Sequence, residues 1–313
     1  MKKIISISSV LLVAVLLSVS INAQETTQQG RNVSEETVQW PEISGSDNQG
    51  QTATNDNHNL DALIKIIQSN NDQSSIYLQV GKDILTSEQQ STQVLPADSL
   101  INLFILAAYY RQVESGVIKT SDKVQVTKED IVEGAGALKN LPLDEPYDYS
   151  TLLQLMLQSR DLTATNVLIK AMGGVEKVNE LIKELGFVQT HLAAQMGSGA
   201  AIADNKTSAS DVANLLLALY QDVLFKKPYN EAALKLLSQH GPVGIAATLD
   251  VSATLYGALS EQLDGVSLHD ALLWEKSEGF PVVFVVLTTN TTNRGFTFGD
   301  LSEHFMPLVK EAQ

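Results

Sequence analysis

Apolar side chains recur along this chain at two spacings. Leu60, Leu63, Ile64 and Ile67 fall at helical intervals, whereas Ser74–Gly81 (SSIYLQVG) alternates as a strand does. A long helical middle follows. The pattern predicts helices over Leu100–Val113, Tyr149–Gln158, Ala164–Met172, Val175–Leu185, Ser208–Leu219 and Asn230–Gln239. Gly186 reads as a stop, and TSASD at the start of the Ser208 helix offers N-cap residues. Near the end the period changes to strands at Ser252–Leu259, Ser267–Trp274 and Pro281–Thr289. The last is continuously apolar, as in a strand covered on both faces. A closing helix is predicted over Leu301–Lys310, with Pro307 counting against it. There are no internal repeats.

This order predicts an α/β (α+β) fold. The early strand and the late hairpins form one antiparallel sheet, flanked by the N- and C-terminal helices. An all-helical lobe covers about residues 98–225. A cleft between the sheet edge and that lobe is the expected place for a site.

The first residues carry an address. Lys2 and Lys3 precede the apolar run IISISSVLLVAVLLSVSINA, the pattern of a secretory signal peptide over residues 1–23. The alternative is an uncleaved anchor, since the run is nearly long enough to span a bilayer. Residues 24–57 are rich in Gln, Thr, Ser, Asn and Gly and predict a disordered polar tether before a domain over residues 58–313. The expected location is outside the cytoplasm of a bacterium, released or anchored.

Composition narrows the chemistry. The net charge of −15 argues against nucleic acid and against charge-driven binding to anionic membranes. With no cysteine, a disulfide framework, a thiolate metal site, a cysteine nucleophile and a lipidated cysteine are excluded. The histidines show no ligand spacing, so neither a metal nor another cofactor is expected. Glu133–Leu138 (EGAGAL) follows no strand and lacks a phosphate-loop lysine; it reads as a turn. The lysines of LIKELG and VLIKAMGG suit helix ends rather than a basic patch.

Several stretches together resemble the class A β-lactamases and related penicillin-recognising serine hydrolases. LPADSLINLFILAAYYRQVESGVI is similar to that family's nucleophile helix. YSTLLQLMLQSRDLTATNVLIKAMGG is similar to a helix, turn and helix of its helical lobe, and DGVSLHDALLW and FPVVFVVLTTN to its last strands. The resemblance extends from Leu60 to Lys310 and is most specific at Thr163–Asn166 and at His269–Asp270.

The resemblance also implies a site, and the site departs from the family. The first motif, Ser-x-x-Lys, matches Ser99–Asn102, so Ser99 takes the nucleophile position while Asn102 replaces the lysine. An amide accepts no proton near neutral pH, and a serine without a base is a poor nucleophile. The second motif, Ser-Asp-Asn, aligns with Arg160, Asp161 and Leu162, with Ser159 one residue early. The third, Lys-Thr-Gly, aligns with Leu259, Ser260 and Glu261. Glu261 brings a negative charge to where a penicillin carboxylate would dock. No glutamate lies between Leu185 and Asn230 to activate a deacylating water.

Each of these residues also has a purely structural reading. Asp98 and Ser99 stand where a helix N-cap would. Asn102 could hold the Ser99 hydroxyl by a hydrogen bond. Arg160 either supplies the cleft with a new cation or pairs with Asp161. The leading expectation is an exported, non-catalytic protein that binds a cell-wall fragment or a surface protein. The alternative is an active serine hydrolase acting on a β-lactam, peptide or ester, with Ser99 as nucleophile in a remodelled site. A purely structural envelope module is a third.

Overall fold

Helix α1 (Ala53–Asn70) runs directly into strand β1 (Asn71–Val80). Strand β2 (Asp83–Ile84), the one-turn helix α2 (Glu88–Ser91) and strand β3 (Leu95–Pro96) lead to a 3-10 turn at Asp98–Leu100 and helix α3 (Ile101–Glu114). The short strands β4 (Lys123–Val124) and β5 (Tyr147–Asp148) pair with each other. Helices α4 (Tyr149–Ser159), α5 (Leu162–Ala171) and α6 (Val175–Glu184) follow. Strand β6 (Lys206–Thr207) pairs with β3 and precedes α7 (Ala209–Tyr220) and α8 (Lys227–Ser238). Strands β7 (Thr254–Leu263), β8 (Ser267–Ser277) and β9 (Phe280–Thr291) precede the closing helix α9 (Phe298–Glu311).

The computed structural model describes residues 53–197, 204–239, 241–249, 254–263, 266–277, 279–292 and 295–311. The expected signal peptide and nearly all of the expected tether lie outside these residues. The described residues belong to one unit, Trp40–Gln313.

The sheet has the order β2-β1-β9-β8-β7, with every pairing antiparallel. Its centre is β9, whose residues Val282–Leu287 are completely buried. Their side chains alternate between two cores. Val283, Val285 and Leu287 face the helical lobe, while Val282, Phe284 and Val286 face α1 and α9. The unbroken apolar run in the sequence is therefore two interleaved faces, each with a cover. Helix α3 is buried almost all round and forms the axis of the helical lobe.

The predicted elements are all present, with shifted ends. Helix α1 begins at Ala53, inside the stretch expected to be tether; its first turns are polar and carry no apolar period, so the pattern did not announce them. Helix α8 starts at Lys227, with a proline in its first turn where no N–H is missed. Its Leu236 and Leu237 join the lobe core, so the lobe reaches beyond residue 225. Strand β7 continues past Leu259 to Leu263. Ser208 caps α7 as expected, accepting the Asp211 N–H at 3.0 Å. Helix α9 runs through Pro307.

One buried carboxyl has a cost that depends on pH. Asp270 points from β8 towards the turn at Gly244–Thr248, and its Oδ2 accepts the Ile245 N–H at 2.8 Å. Its Oδ1 has no hydrogen-bond partner among the described residues. A Cβ on Gly244, whose φ is +58°, would lie 2.5 Å from that oxygen, so glycine is required there. Burial pushes the Asp270 carboxyl up to about 8. The folded state therefore holds a proton that the unfolded chain has already released. The stability from this group is full below the ordinary carboxylate range and is lost as pH rises through about 8. Asp270→Asn keeps the acceptor and removes the titration. Its melting temperature should exceed the wild type's by roughly 5 °C well above neutrality, and the difference should shrink on acidification. Thermal melts of both proteins across that range check this.

Candidate active site

The Ser99 region is built where the helical lobe meets the β7 edge of the sheet. The chain enters it through a strained residue. Asp98 has φ +43°, a conformation that Asp tolerates better than most side chains. That backbone directs the Asp98 carboxylate inward. Its Oδ2 accepts from Ser267 Oγ at 2.7 Å and lies 2.9 Å from His269 Nε2. The Thr288 N–H donates to His269 Nδ1 at 3.2 Å, which leaves the imidazole proton on Nε2, facing Asp98. The Nε2–Oδ2 contact is close but off the line of a hydrogen bond, so it is mainly electrostatic. Burial works to raise the Asp98 carboxyl. The His269 and Ser267 contacts and the charge of Lys206 outweigh it and hold the carboxyl below its usual range.

Ser99 is not a helix cap. The 3-10 turn is preceded by Ala97 and α3 by Leu100, and neither junction has a side-chain cap. The φ of Asp98 turns the chain so that these side chains miss the helical N–H groups. Ser99 Oγ is buried without a hydrogen-bond partner among the described residues. Asn102 does not hold it either. The Asn102 amide is buried and donates to the Met156 carbonyl of α4 at 3.4 Å.

The Ser99 main chain does have a partner. Its N–H donates to Glu261 Oε2 at 2.8 Å, reaching across from β7. Glu261 Oε1 lies 3.6 Å from Arg160 Nη1, and the Arg160 guanidinium also donates to the Ser260 carbonyl. Arg160 thus pairs with Glu261 and not with Asp161. The reason is local: α4 ends at Arg160 in the left-handed conformation, φ 49°, which swings the side chain towards β7. Ser159, the last residue of α4, is exposed.

Asp161 has a different task. It caps α5, its Oδ1 accepting the Ala164 N–H at 2.9 Å, and its Oδ2 accepts the Leu138 N–H at 2.6 Å. The loop containing Leu138 lies so close that a Cβ on Gly136 would fall 2.3 Å from Asp161 Cγ. Gly136 of EGAGAL is thus required by its packing against the cap, while Gly134 packs against Leu162, whose Cδ1 would lie 3.0 Å from a Cβ there. Leu162 lies beside the same loop, its N–H donating to the Ala135 carbonyl at 3.3 Å. On β7, Leu259 is buried in the lobe core with Leu103, Leu216, Leu237 and Ala271. Ser260 is buried as well.

The structure therefore brings Ser99, Arg160, Ser260 and Glu261 together and assigns Asn102, Asp161 and Leu259 to structural contacts. Sequence reasoning missed the Asp98–His269–Ser267 cluster and the influence of Lys206. No pattern in the chain announces a positive φ at an aspartate. A cavity of about 530 Å³ lies against β1 and shares no lining residue with the Ser99 network. Among the described residues no group of acidic and histidine side chains could hold a metal ion.

Comparison with known proteins follows the same lines. A family model described as "Beta-lactamase enzyme family" matches residues 59–304. The β-lactamase AER-1 of Aeromonas hydrophila is 24% identical over 136 residues, which span 42% of this chain and 44% of that protein. The chain thus matches less than half the length of that relative. A solved structure of PBP-A superposes with a TM-score of 0.68 at 21% identity, covering 81% of this chain and 93% of the other. A β-lactamase from Sphaerobacter thermophilus DSM 20745 gives 0.71 at 20% identity, covering 81% and 97%. At such identities the superpositions establish the fold.

Removing the Asp161 carboxylate should cost stability. Asp161→Ala leaves two buried N–H groups without partners, one at the start of α5 and one at Leu138, for a loss of about 2–4 kcal/mol. Urea unfolding of the variant beside the wild type measures it.

Proposed function

This chain belongs to the β-lactamase enzyme family, and we propose that it keeps the family's fold while working by binding rather than by hydrolysis. The observation that carries this reading is the Glu261 carboxylate on the Ser99 N–H. In acyl transfer a backbone N–H beside the nucleophile receives the negative charge that develops on the substrate oxygen. A carboxylate already bound to that N–H blocks it and repels an arriving oxyanion.

Three further features support the reading. Ser99 lacks a base at the expected place, because the Asn102 amide is neutral and engaged with Met156. Leu259 stands where the family has a cation and is enclosed by apolar neighbours. Glu261 is held in place by Arg160, and the pair is largely shielded on the carboxylate side, with Glu261 14% exposed. The apolar N-terminal run with its two lysines supports export, either released or anchored. A cell-wall fragment or another surface protein is the partner class this location favours.

The test is intact-mass analysis after incubation with a fluorescent penicillin, with Ser99→Ala alongside. Neither protein should gain an adduct. Glu261→Gly should also remain unlabelled, because vacating the N–H supplies no base. An adduct on the wild type that Ser99→Ala abolishes would overturn the proposal. It would carry the alternative of an active serine hydrolase with a remodelled site.

A further inference from the structure

A second layer of structure lies behind the Ser99 network. By the two-residue period of β8, Asp270 shares with Leu268 and Leu272 the face of the sheet that α9 covers, while Ala271 faces the lobe. Its cross-strand partner on β7 is Ser260. The Ser260 carbonyl receives Arg160, and the next residue, Glu261, holds the Ser99 N–H. Strand β7 is the last of the sheet and pairs with β8 alone. Asp270 also holds the segment that leads into β7. Its Oδ2 accepts the Ile245 N–H of the Gly244–Thr248 turn, which lies between α8 and β7 in the chain. Ile245 and Ala246 fill the core beneath α9, and Thr248 Oγ1 meets Ser302 Oγ of α9 at 2.6 Å.

The fully buried Asp270 carboxyl is acted on only by its burial and by the main-chain N–H groups of Ile245 and Ala271. The turn, Ser260 on β7 and Val286 opposite on β9 carry no titratable group. From α9 the turn meets Ser302. Asp300 of that helix is bound to Thr297 and drawn to His304, and Glu303 is exposed. His269 lies against Asp98, on the lobe side. Burial therefore pushes the Asp270 carboxyl up to about 8, and once ionised it requires water. Gly244 packs against both carboxyl oxygens, so closely that a Cβ there would overlap them. Water reaches the carboxylate when the turn moves away.

We propose that Asp270 triggers an alkaline switch: its ionisation displaces the Gly244–Thr248 turn, loosens the β7 edge and takes Glu261 off the Ser99 N–H. The two ends of the device are one strand pair apart. The turn feeds β7 from the chain side, and Ser260 links β7 to Asp270 across the ladder, so a shift of the turn is felt where Arg160 and Glu261 are anchored. The switch rests on the reading above, since it sets the condition under which the occupied position becomes vacant. Below it Glu261 keeps a ligand oxygen from the Ser99 N–H; above it that N–H is open to one.

Amide NMR of the isotope-labelled chain, titrated from below neutrality to well above it, tests the switch. The Ile245 and Ser99 signals should move together with one midpoint near about 8. The Ser99 amide proton should move upfield as it loses its carboxylate partner. In Asp270→Asn, which keeps an acceptor for Ile245, both signals should stay in place. Glu261→Gln, compared with the wild type below neutrality, reads the occupancy itself and should move the Ser99 signal. The switch is overturned if the wild-type Ser99 signal stays flat while Ile245 titrates, or if Ser99 titrates equally in Asp270→Asn. A Ser99 signal that Glu261→Gln moves but pH does not would sink the switch alone. A Ser99 signal indifferent to Glu261→Gln would sink the switch together with the occupancy it rests on.

Discussion

The architecture rests on a single strand buried on both sides. Along β9, alternate side chains seal two different cores, so neither core is complete without the other's cover. That requirement fixes register: a slip of one residue would exchange the two sets of side chains and spoil both faces. With β9 fixed, β8 pairs along one side of it and β7 pairs along β8. The edge of β7 is thereby set against the start of α3, and Glu261 arrives at Ser99 as a result of packing that began two strands away.

Around Ser99 the polar groups form two sets with different roles. Ser267 and His269 hold Asp98, the residue before the serine. Glu261 holds the Ser99 N–H, and Arg160 holds Glu261. The first set is deeply buried, where a charge without partners would be costly, and its contacts keep Asp98 ionised. The second is partly exposed, so the ion pair itself adds little to stability. Its effect is one of occupancy: the carboxylate fills a position that the chemistry of acyl transfer would need vacant.

Much of the fold was legible in the sequence because periodicity reports burial directly. The run at Pro281–Thr289 announced a doubly covered strand, and the helices declared themselves by their apolar faces. The polar start of α1 stayed hidden for the same reason. Within the site, the residue types at Ser99, Asn102, Arg160, Leu259 and Glu261 were visible, but their partners were not. Asn102 binds a carbonyl from a helix 54 positions away, and Arg160 finds Glu261 through a left-handed backbone turn. Such contacts depend on three-dimensional closure, to which spacing along a chain is blind. The cap reading of Asp98–Ser99 failed because one positive φ redirected both side chains.

The enclosure of Leu259 bears on how freely this edge of the sheet can be altered. A group at the surface can be exchanged at little cost. Leu259, however, is part of the lobe interior, in contact with α3, α7, α8 and the neighbouring strand. An ammonium placed at that point would enter an apolar enclosure, whereas Arg160 and Glu261 are partly open to solvent, so a charge left unpaired between them is largely screened. Position 259 is therefore far harder to charge than position 261 is to change.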